Sequence, residues 1–249
     1  MAVATFEQAL IYIAGRQAGT RLTQLGYDVS TNLIDVTGLT SLAMEYRPGK
    51  LDTAVSLAGF YEGEGFTDGD LRSSVASDGR TVMSVRPQPG SRVAVVDAVL
   101  SQYQNTGSVN EATMVNISGQ SNFFGVGDLV KERTRTVGPT VAFSLTRPEG
   151  YGIWGAVHWF ATATDRTTGQ VAVKLETQAN PPNTSWTETG LQNVGAYDEG
   201  PHAEFMSLGT GNRFFDGAPA GAARQYRVGW VQTGVGTYDF AVVIGLAKL

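Results

Sequence analysis

The chain has 249 residues, enough for one large β domain or two ordinary ones, and 42% of them are hydrophobic, which excludes disorder along the whole length. It contains no cysteine, so a disulfide framework, a thiolate nucleophile and a zinc-finger site are excluded. The formal charge is −5, and residues 1–130 hold 13 acidic against 8 basic side chains. A basic groove for nucleic acid is therefore not expected.

Thirty-one glycines, segments rich in Val, Thr, Phe and Tyr, and few stretches of 3.6-residue periodicity predict a mostly β fold with many turns. No stretch approaches the ~18 apolar residues of a membrane span, and the N-terminus lacks the pattern of a secretory signal. The sequence therefore predicts a soluble protein that has no membrane partner and is not exported by the usual route.

The first apolar segment, FEQALIYIAG at 6–15, fits a short helix or a strand equally well, because periodicity cannot decide a run of that length. Residues 27–46 predict a strand, a turn near Gly38 and a second strand. The sequence RPG at 47–49 then predicts a turn into a further strand, 51–61.

The strand that follows this turn alternates clearly between two kinds of side chain. Strand periodicity places Leu51, Thr53, Val55, Leu57 and Gly59 on one face, and Asp52, Ala54, Ser56, Ala58 and Phe60 on the other. One face is large and apolar and the other mostly small. This pattern predicts a half-buried strand whose small face either meets water or packs against a neighbouring subunit.

Residues 69–79 predict a short helix, with Asp70 as its N-cap and Gly79 as its stop. Strands are predicted at 81–88, 91–104 and 111–120. The aromatic, glycine-rich and charged stretch 121–139 reads as a connection, so a domain boundary is expected near residue 130.

The second half predicts a run of short strands separated by turn residues: 140–148, 152–165, 170–180, 202–209, 224–234 and 237–249. Six or seven strands in this length is the size of a small antiparallel sandwich. The sequence therefore predicts an N-terminal β-sandwich or barrel with a short helix in residues 1–130, followed by an antiparallel β-sandwich in residues 131–249.

No catalytic, cofactor-binding or metal site is predicted. His158 lies in an apolar strand and His202 in a loop, and neither has metal-ligand spacing, so His158 is interpreted as a core or interface residue. The G-x-G stretches at 124–130 and 208–214 lack the rest of a phosphate-binding motif and are interpreted as turns. The acidic TDGD at 67–70 lacks the terminal glutamate of a calcium loop.

Aromatic residues crowd the second half of the chain and permit an alternative function. Trp159 and Trp230 lie in apolar strands and are interpreted as core residues, whereas Trp186 follows a Pro/Asn/Thr loop and is expected to be exposed. An exposed tryptophan on a β-sandwich is typical of a glycan-binding or receptor-binding module, and a hydrolase with an unrecognised carboxylate pair is a further alternative.

The stretch from VTGLTSLAMEY through YRPGK to DTAVSLAGFYEGEG resembles the N-terminal region of the major tail, or tail tube, proteins of long-tailed bacteriophages. The closing segment RQYRVGWVQTGVGTYDFAVVIGL resembles the last two strands of a β-sandwich appended to some members. The matching residues of the first region are Tyr46, Pro48, Gly49, Asp52, Val55, Ser56, Leu57, Gly59, Phe60, Tyr61, Glu62 and Gly63.

The resemblance implies a structural virion protein with no enzymatic activity and no cofactor, made in the host bacterial cytoplasm. Residues 1–130 would assemble into hexameric rings that stack into a tube carrying DNA without binding it specifically, and residues 131–249 would project outward. Other phage tail proteins would be its partners. The inter-subunit loop and strand would comprise Tyr46, Arg47, Pro48, Gly49, Lys50, Asp52, Phe60 and Tyr61. A minor tail or head-decoration subunit is the related alternative.

A conduit for DNA benefits from an acidic interior, because repulsion of the phosphates keeps the molecule from adhering. Glu62, Glu64, Asp68 and Asp70 are four acidic residues within nine, with no basic residue among them. These side chains are therefore predicted to line the lumen.

Overall fold

The computed structural model describes residues 10–18, 22–35, 46–60, 71–76, 80–87, 90, 92–108, 112–134, 143–160, 169–178, 186–196, 202–207, 213–215, 223–234 and 239–248. Within these ranges the fold is almost entirely β, as predicted. The elements are β1 Leu10–Ile13, β2 Arg16–Gln17, β3 Leu22–Asp35, β4 Tyr46–Phe60, α1 Leu71–Ala76, β5 Arg80–Arg86, β6 Arg92–Thr106, β7 Met114–Thr134, β8 Phe143–Thr146, β9 Tyr151–Phe160, β10 Gly169–Gln178, β11 Thr187–Ala196, β12 His202–Phe205, β13 Ala223–Gly234 and β14 Asp239–Lys248.

The chain divides into two compact units that are not consecutive in sequence. The first comprises residues 1–17, 82–95 and 125–249, and the second comprises residues 18–81 and 96–124. Strands β6 and β7 contribute residues to both units. The assignment of a tube-forming role to residues 1–130 and a projecting role to residues 131–249 is untested and stays a prediction.

The first unit contains an antiparallel sandwich. A four-stranded sheet with the order β11-β10-β13-β8 packs against strands β9 and β14, which are neighbours in the order β12-β9-β14-β7. The shared core consists of Ile153, Val157, Trp159, Val171, Val173, Leu175, Met206, Tyr226, Val228, Phe240, Val242 and Ile244, with Trp230 partly buried against it. The sandwich and the core positions of Trp159 and Trp230 are as predicted.

Strands β9 and β14 are buried almost without interruption because both of their faces are covered. On the face opposite the four-stranded sheet, Phe160 and Ala241 pack with Tyr12 of β1. The ambiguous segment 6–15 is thus a strand at Leu10–Ile13, antiparallel to β5. The conformation of this segment is decided by its packing against other segments, which sequence periodicity does not reveal.

The second unit is built on a four-stranded sheet with the order β3-β4-β7-β6, together with α1. Along β4 the odd-numbered positions from Thr53 to Gly59 are buried, and the even-numbered positions from Asp52 are exposed or half-buried. The predicted alternation is therefore confirmed. Helix α1 lies within the predicted 69–79, and Asp70 and Gly79 fall outside the described residues.

The turn predicted at residues 47–49 is wrong, because β4 runs without a break from Tyr46 to Phe60. The β3–β4 register instead shifts where Thr31 pairs with Leu51 and Leu33 with Pro48, so β4 carries one extra residue there. This is a β-bulge, a position where proline and glycine are tolerated in a strand. An added Cβ on Gly49 would lie 2.8 Å from the carbonyl oxygen of Asn32, which explains the glycine.

The predicted connection at residues 121–139 is also wrong for residues 121–134, because these residues belong to β7, which extends from Met114 to Thr134. The G-x-G at 125–127 is therefore part of a strand and not a turn. An added Cβ on Gly127 would lie 2.5 Å from the carbonyl oxygen of Ile244 on the paired strand β14, so this glycine permits close approach of two backbones.

Strand β11 was not predicted, because TETGLQNVGA lacks an alternating apolar pattern. It forms through antiparallel pairing with β10 at the end of the four-stranded sheet. Backbone hydrogen bonds to the preceding strand thus form a strand that the side-chain pattern does not indicate.

Candidate functional site

The long β3–β4 hairpin extends beyond the rest of its sheet. Strand β3 pairs with β4 as far as Asp35 and Tyr46, whereas β4 pairs with β7 only from Thr53 to Phe60. Residues 30–35 and 46–52 therefore form a two-stranded ribbon, here called the arm. An isolated two-stranded ribbon is only marginally stable in water, so the arm is suited to packing against another surface.

The arm exposes large apolar side chains on both of its faces. Leu33 is 68% exposed and its neighbour Ile34 is 53% exposed. Consecutive residues of a strand point to opposite faces, so neither face of the arm is covered by the described part of the chain. Exposed apolar clusters of this kind mark interaction surfaces.

The apolar face of the second unit also continues past its own core. Tyr27 and Val29 pair with Val55 and Thr53 and share their face, but they are 39% and 38% exposed where Val55 and Thr53 are buried. The ring of Tyr27 contacts Phe124 at a centroid distance of 5.3 Å. The core therefore ends at the edge strand with apolar surface left uncovered.

This sheet has two edges with unused pairing capacity among the described residues. Strand β3 pairs with β4 alone. At the other side, β5 has 7 residues and β6 has 15, so β5 cannot cover the length of β6. Open edges are templates for pairing with another chain unless they are blocked.

The exposed face of the same sheet is mostly polar, and it carries the acidic side chains of Asp28 and Asp52 besides amides and hydroxyls. A shallow cavity of about 170 Å³ on this face is lined by Gln24, Ser56, Leu57, Ala58, Gln102, Gln104, Asn116, Ile117 and Ser118. Within this lining the Ser118 hydroxyl donates to Oε1 of Gln102 at 3.3 Å. Nδ2 of Asn116 donates to Oγ1 of Thr106, which lies outside the lining, at 3.3 Å. None of the residues that line this cavity is charged, so the cavity itself attracts neither anions nor cations strongly.

A larger recess of about 400 Å³ lies at the root of the arm. It is lined by Asn32, Leu51, Asp52, Arg80, Asp97, Val99, Gln120 and Ser121. Nη1 of Arg80 donates to Oδ2 of Asp97 at 2.6 Å, and the Asp97 side chain is 1% exposed. The Ser121 hydroxyl donates to the backbone carbonyl of Asp97 at 2.6 Å, which holds β6 against β7.

Most of the predicted inter-subunit residues lie on this hairpin. Tyr46, Arg47, Pro48, Gly49, Lys50, Asp52 and Phe60 all belong to β4, with Arg47 and Asp52 exposed and Phe60 47% exposed. Tyr61 and the predicted lumen residues Glu62, Glu64, Asp68 and Asp70 lie outside the described residues. Sequence reasoning missed Leu33 and Ile34, although adjacent large apolar residues in a polar strand were an available signal.

His158 and Ser84 meet in the first unit, but they form no accessible site. Nε2 of His158 lies 2.7 Å from the Ser84 hydroxyl, and His158 and Ser84 are 0% and 1% exposed. Burial lowers the pKa of His158 to about 3, so the ring is neutral at physiological pH. The pair is a buried hydrogen bond within the core, which agrees with the predicted core role of His158.

Trp186 is half-buried, less exposed than its loop predicted. The Arg227 guanidinium lies over its ring at 4.6 Å from the centroid and is also hydrogen-bonded to Glu176. One face of the indole is thus occupied by a side chain of the same protein. A sugar could stack there only by displacing Arg227 or by using the opposite face.

Within the described ranges, no helix is long and apolar enough to cross a membrane. The same residues contain no group of three or more His, Cys, Asp or Glu side chains arranged to hold a metal ion.

Comparison with protein-family models found no match, and comparison with curated proteins found none either. Among solved structures, a chain in the virion of a native gene transfer agent particle is 17% identical, with a TM-score of 0.42 over 50% of this chain and 98% of that one. A chain of the phage P2 baseplate in its activated conformation with Ca is 8% identical, with a TM-score of 0.40 over 95% and 98% of the two chains. The Dit protein of phage SPP1 is 9% identical, with a TM-score of 0.35 over 97% and 100%. At TM-scores below 0.5, these likenesses establish neither a shared fold nor a shared function.

Proposed function

We propose that this chain is a structural subunit of a bacteriophage tail, whose copies join into rings that stack as a tube for DNA. The observation that carries the proposal is the arm, which exposes Leu33 and Ile34 on its two faces beside an open sheet edge. A hexameric ring and contacts with other tail proteins belong to the proposal through the sequence resemblance.

The second unit has the parts that such a ring requires. When the β3 edge of one copy pairs with the β6 edge of the next, the contact is head-to-tail. Repetition of a head-to-tail contact forms a ring when the rotation between copies closes. Pairing would satisfy the free backbone groups of both edges. It would also cover Tyr27 and Val29, whose apolar side chains reach the β3 edge with 39% and 38% exposure.

The same closure determines which face of the sheet borders the channel. One face packs on the core of its own subunit through Val55, Leu57, Val115 and Ile117. A face that is already buried cannot also border a channel, so the opposite face, which carries the amides and hydroxyls, would border the lumen. A lining of amides, hydroxyls and the acidic Asp28 suits a conduit, because proteins hold DNA mainly through basic groups that contact its phosphates. The proposal also keeps four acidic residues as further lumen residues: Glu62, Glu64, Asp68 and Asp70.

The test is the assembly state of the purified full-length chain. Light scattering after size-exclusion chromatography should give a mass several times that of one chain, rising with concentration. Negative-stain electron microscopy of the same fractions should show rings or hollow tubes of uniform diameter. A monomer at every concentration, with no rings or tubes, would overturn the proposal for the isolated chain.

A further inference from the structure

We infer that the recess at the root of the arm accepts the Arg47 side chain of a second copy of this chain. The inference depends on the proposed assembly and adds a specific contact to it.

The recess has a carboxylate available for a cation. Asp97, buried at its wall, is already paired with Arg80 at 2.6 Å. Asp52 lines the same recess, is exposed, and has no hydrogen bond or ion pair to any described residue. A carboxylate accepts hydrogen bonds and donates none, so the open position favours a cationic donor.

The neighbours of Asp52 suit a guanidinium in particular. The carboxamides of Asn32 and Gln120 line the recess and likewise have no partner among the described residues. A guanidinium presents five N–H donors in a planar fork, which can bind a carboxylate in bidentate fashion and still reach an amide oxygen. The volume of about 400 Å³ is ample for the end of one arginine side chain.

Among the described side chains of this unit, Arg47 is the cation that matches the recess. It is exposed and makes no hydrogen bond or ion pair with any described residue, whereas Arg80 is paired with Asp97 and Arg72 has a contact of its own. None of the described residues therefore occupies the donors of Arg47 at the outer part of the arm.

Arg47 and Asp52 cannot meet within one copy. Their partners on β3 are Ile34 and Ser30, four residues apart, which is roughly 13 Å along a strand. Because these partners are separated by an even number of residues, Arg47 and Asp52 lie on the same face of the arm. A second copy displaced along the arm by that distance would bring its Arg47 to the recess, and such an offset contact repeats head-to-tail.

Charge reversal tests the pairing. Arg47→Asp and Asp52→Arg should each raise the protein concentration needed for assembly at least about tenfold, because each places like charges together. The double variant Arg47→Asp/Asp52→Arg should restore assembly. An equimolar mixture of the two single variants should also assemble, because alternating copies again pair opposite charges. Urea unfolding of each variant checks that the subunit is folded, and Arg47→Gln and Asp52→Asn provide milder changes should a reversal fail to fold.

The outcomes separate this inference from the proposed function. If the wild-type chain assembles and the reversed or neutral variants assemble at the same concentration, the inference is wrong and the tube proposal stands. If neither the double variant nor the mixture recovers assembly, the pairing of Arg47 with Asp52 is likewise wrong. A wild-type chain that never assembles overturns both.

Discussion

At the scale of single residues, Gly245 shows how closely the first unit is packed. A Cβ added to Gly245 on β14 would overlap the indole ring of Trp154, which is fully buried and cannot move aside. Gly245→Ala should therefore lower the free energy of unfolding by about 1–3 kcal/mol, the usual cost of overpacking. Urea unfolding measures the change. Ser144→Ala, at an exposed strand position, is the control and should stay within about 0.5 kcal/mol of wild type.

His158 predicts a pH dependence whose sign follows from its burial. Its pKa is lowered from 6.5 to about 3 in the folded protein, so the unfolded chain binds a proton that the folded chain excludes. The stabilising effect is complete above pH 6.5 and is lost as the pH falls toward 3. Between pH 7 and pH 5 the loss should be about 2 kcal/mol. Urea unfolding at both pH values measures it.

The comparison variant is His158→Gln, which cannot titrate in this range. Its unfolding free energy should change less between pH 7 and pH 5 than that of the wild-type chain. Equal changes in the two proteins would show that His158 does not exclude a proton on folding.

At the scale of elements, the arm predicts a variant that separates assembly from stability. The double variant Leu33→Ser/Ile34→Ser removes two exposed apolar side chains. Its free energy of unfolding should therefore stay within about 0.5 kcal/mol of the wild-type value. Rings or tubes should be lost, because the apolar contact with a neighbour is lost. Light scattering and negative-stain microscopy measure this.

Val231→Ser is the matched control for the arm variant. Val231 is 53% exposed on β13 of the first unit, so the substitution also removes exposed apolar area but leaves the arm intact. It should assemble as wild type does. An arm variant that assembles as readily as this control would exclude the arm from the interface.

The sequence could predict β4 as an element because strand alternation is a local property, and the burial of Val55 and Leu57 confirmed it. It could not predict that β4 has a bulge between Pro48 and Leu51, since that depends on pairing with β3. Strand β11 was missed for a related reason, because its pairing with β10 supplies what its side chains do not indicate.

At the scale of the whole molecule, a proposed lumen face of amides, hydroxyls and the acidic Asp28 predicts that wild-type tubes do not retain DNA. Gln104→Lys/Ser118→Lys places two positive charges on this face in every subunit. Tubes of this variant should retain short duplex DNA at low salt and release it as salt rises, because phosphate contacts are salt-dependent. Fluorescence of labelled DNA sedimenting with the tubes measures retention.

Thr146→Lys, at an exposed position of β8, is the control for added charge outside the proposed lumen. The protection of bound DNA is expected to depend on where the added charge lies. A nuclease should therefore digest DNA bound by tubes of the control and spare DNA inside tubes of Gln104→Lys/Ser118→Lys. Equal digestion in both cases would show that the amide-rich face does not border the channel.

Composition and alternation by themselves determined that this protein is mostly β, that it has no disulfide, and which side of β4 faces a core, because each depends on residue type or on neighbours in sequence. Only the tertiary structure decided what the strands build. His158 meets Ser84 across 74 residues, and the recess at the arm collects side chains from β3 through β7. Such contacts depend on which strands pair and in what register. Backbone hydrogen bonding and close packing decide that pairing between segments far apart in the chain.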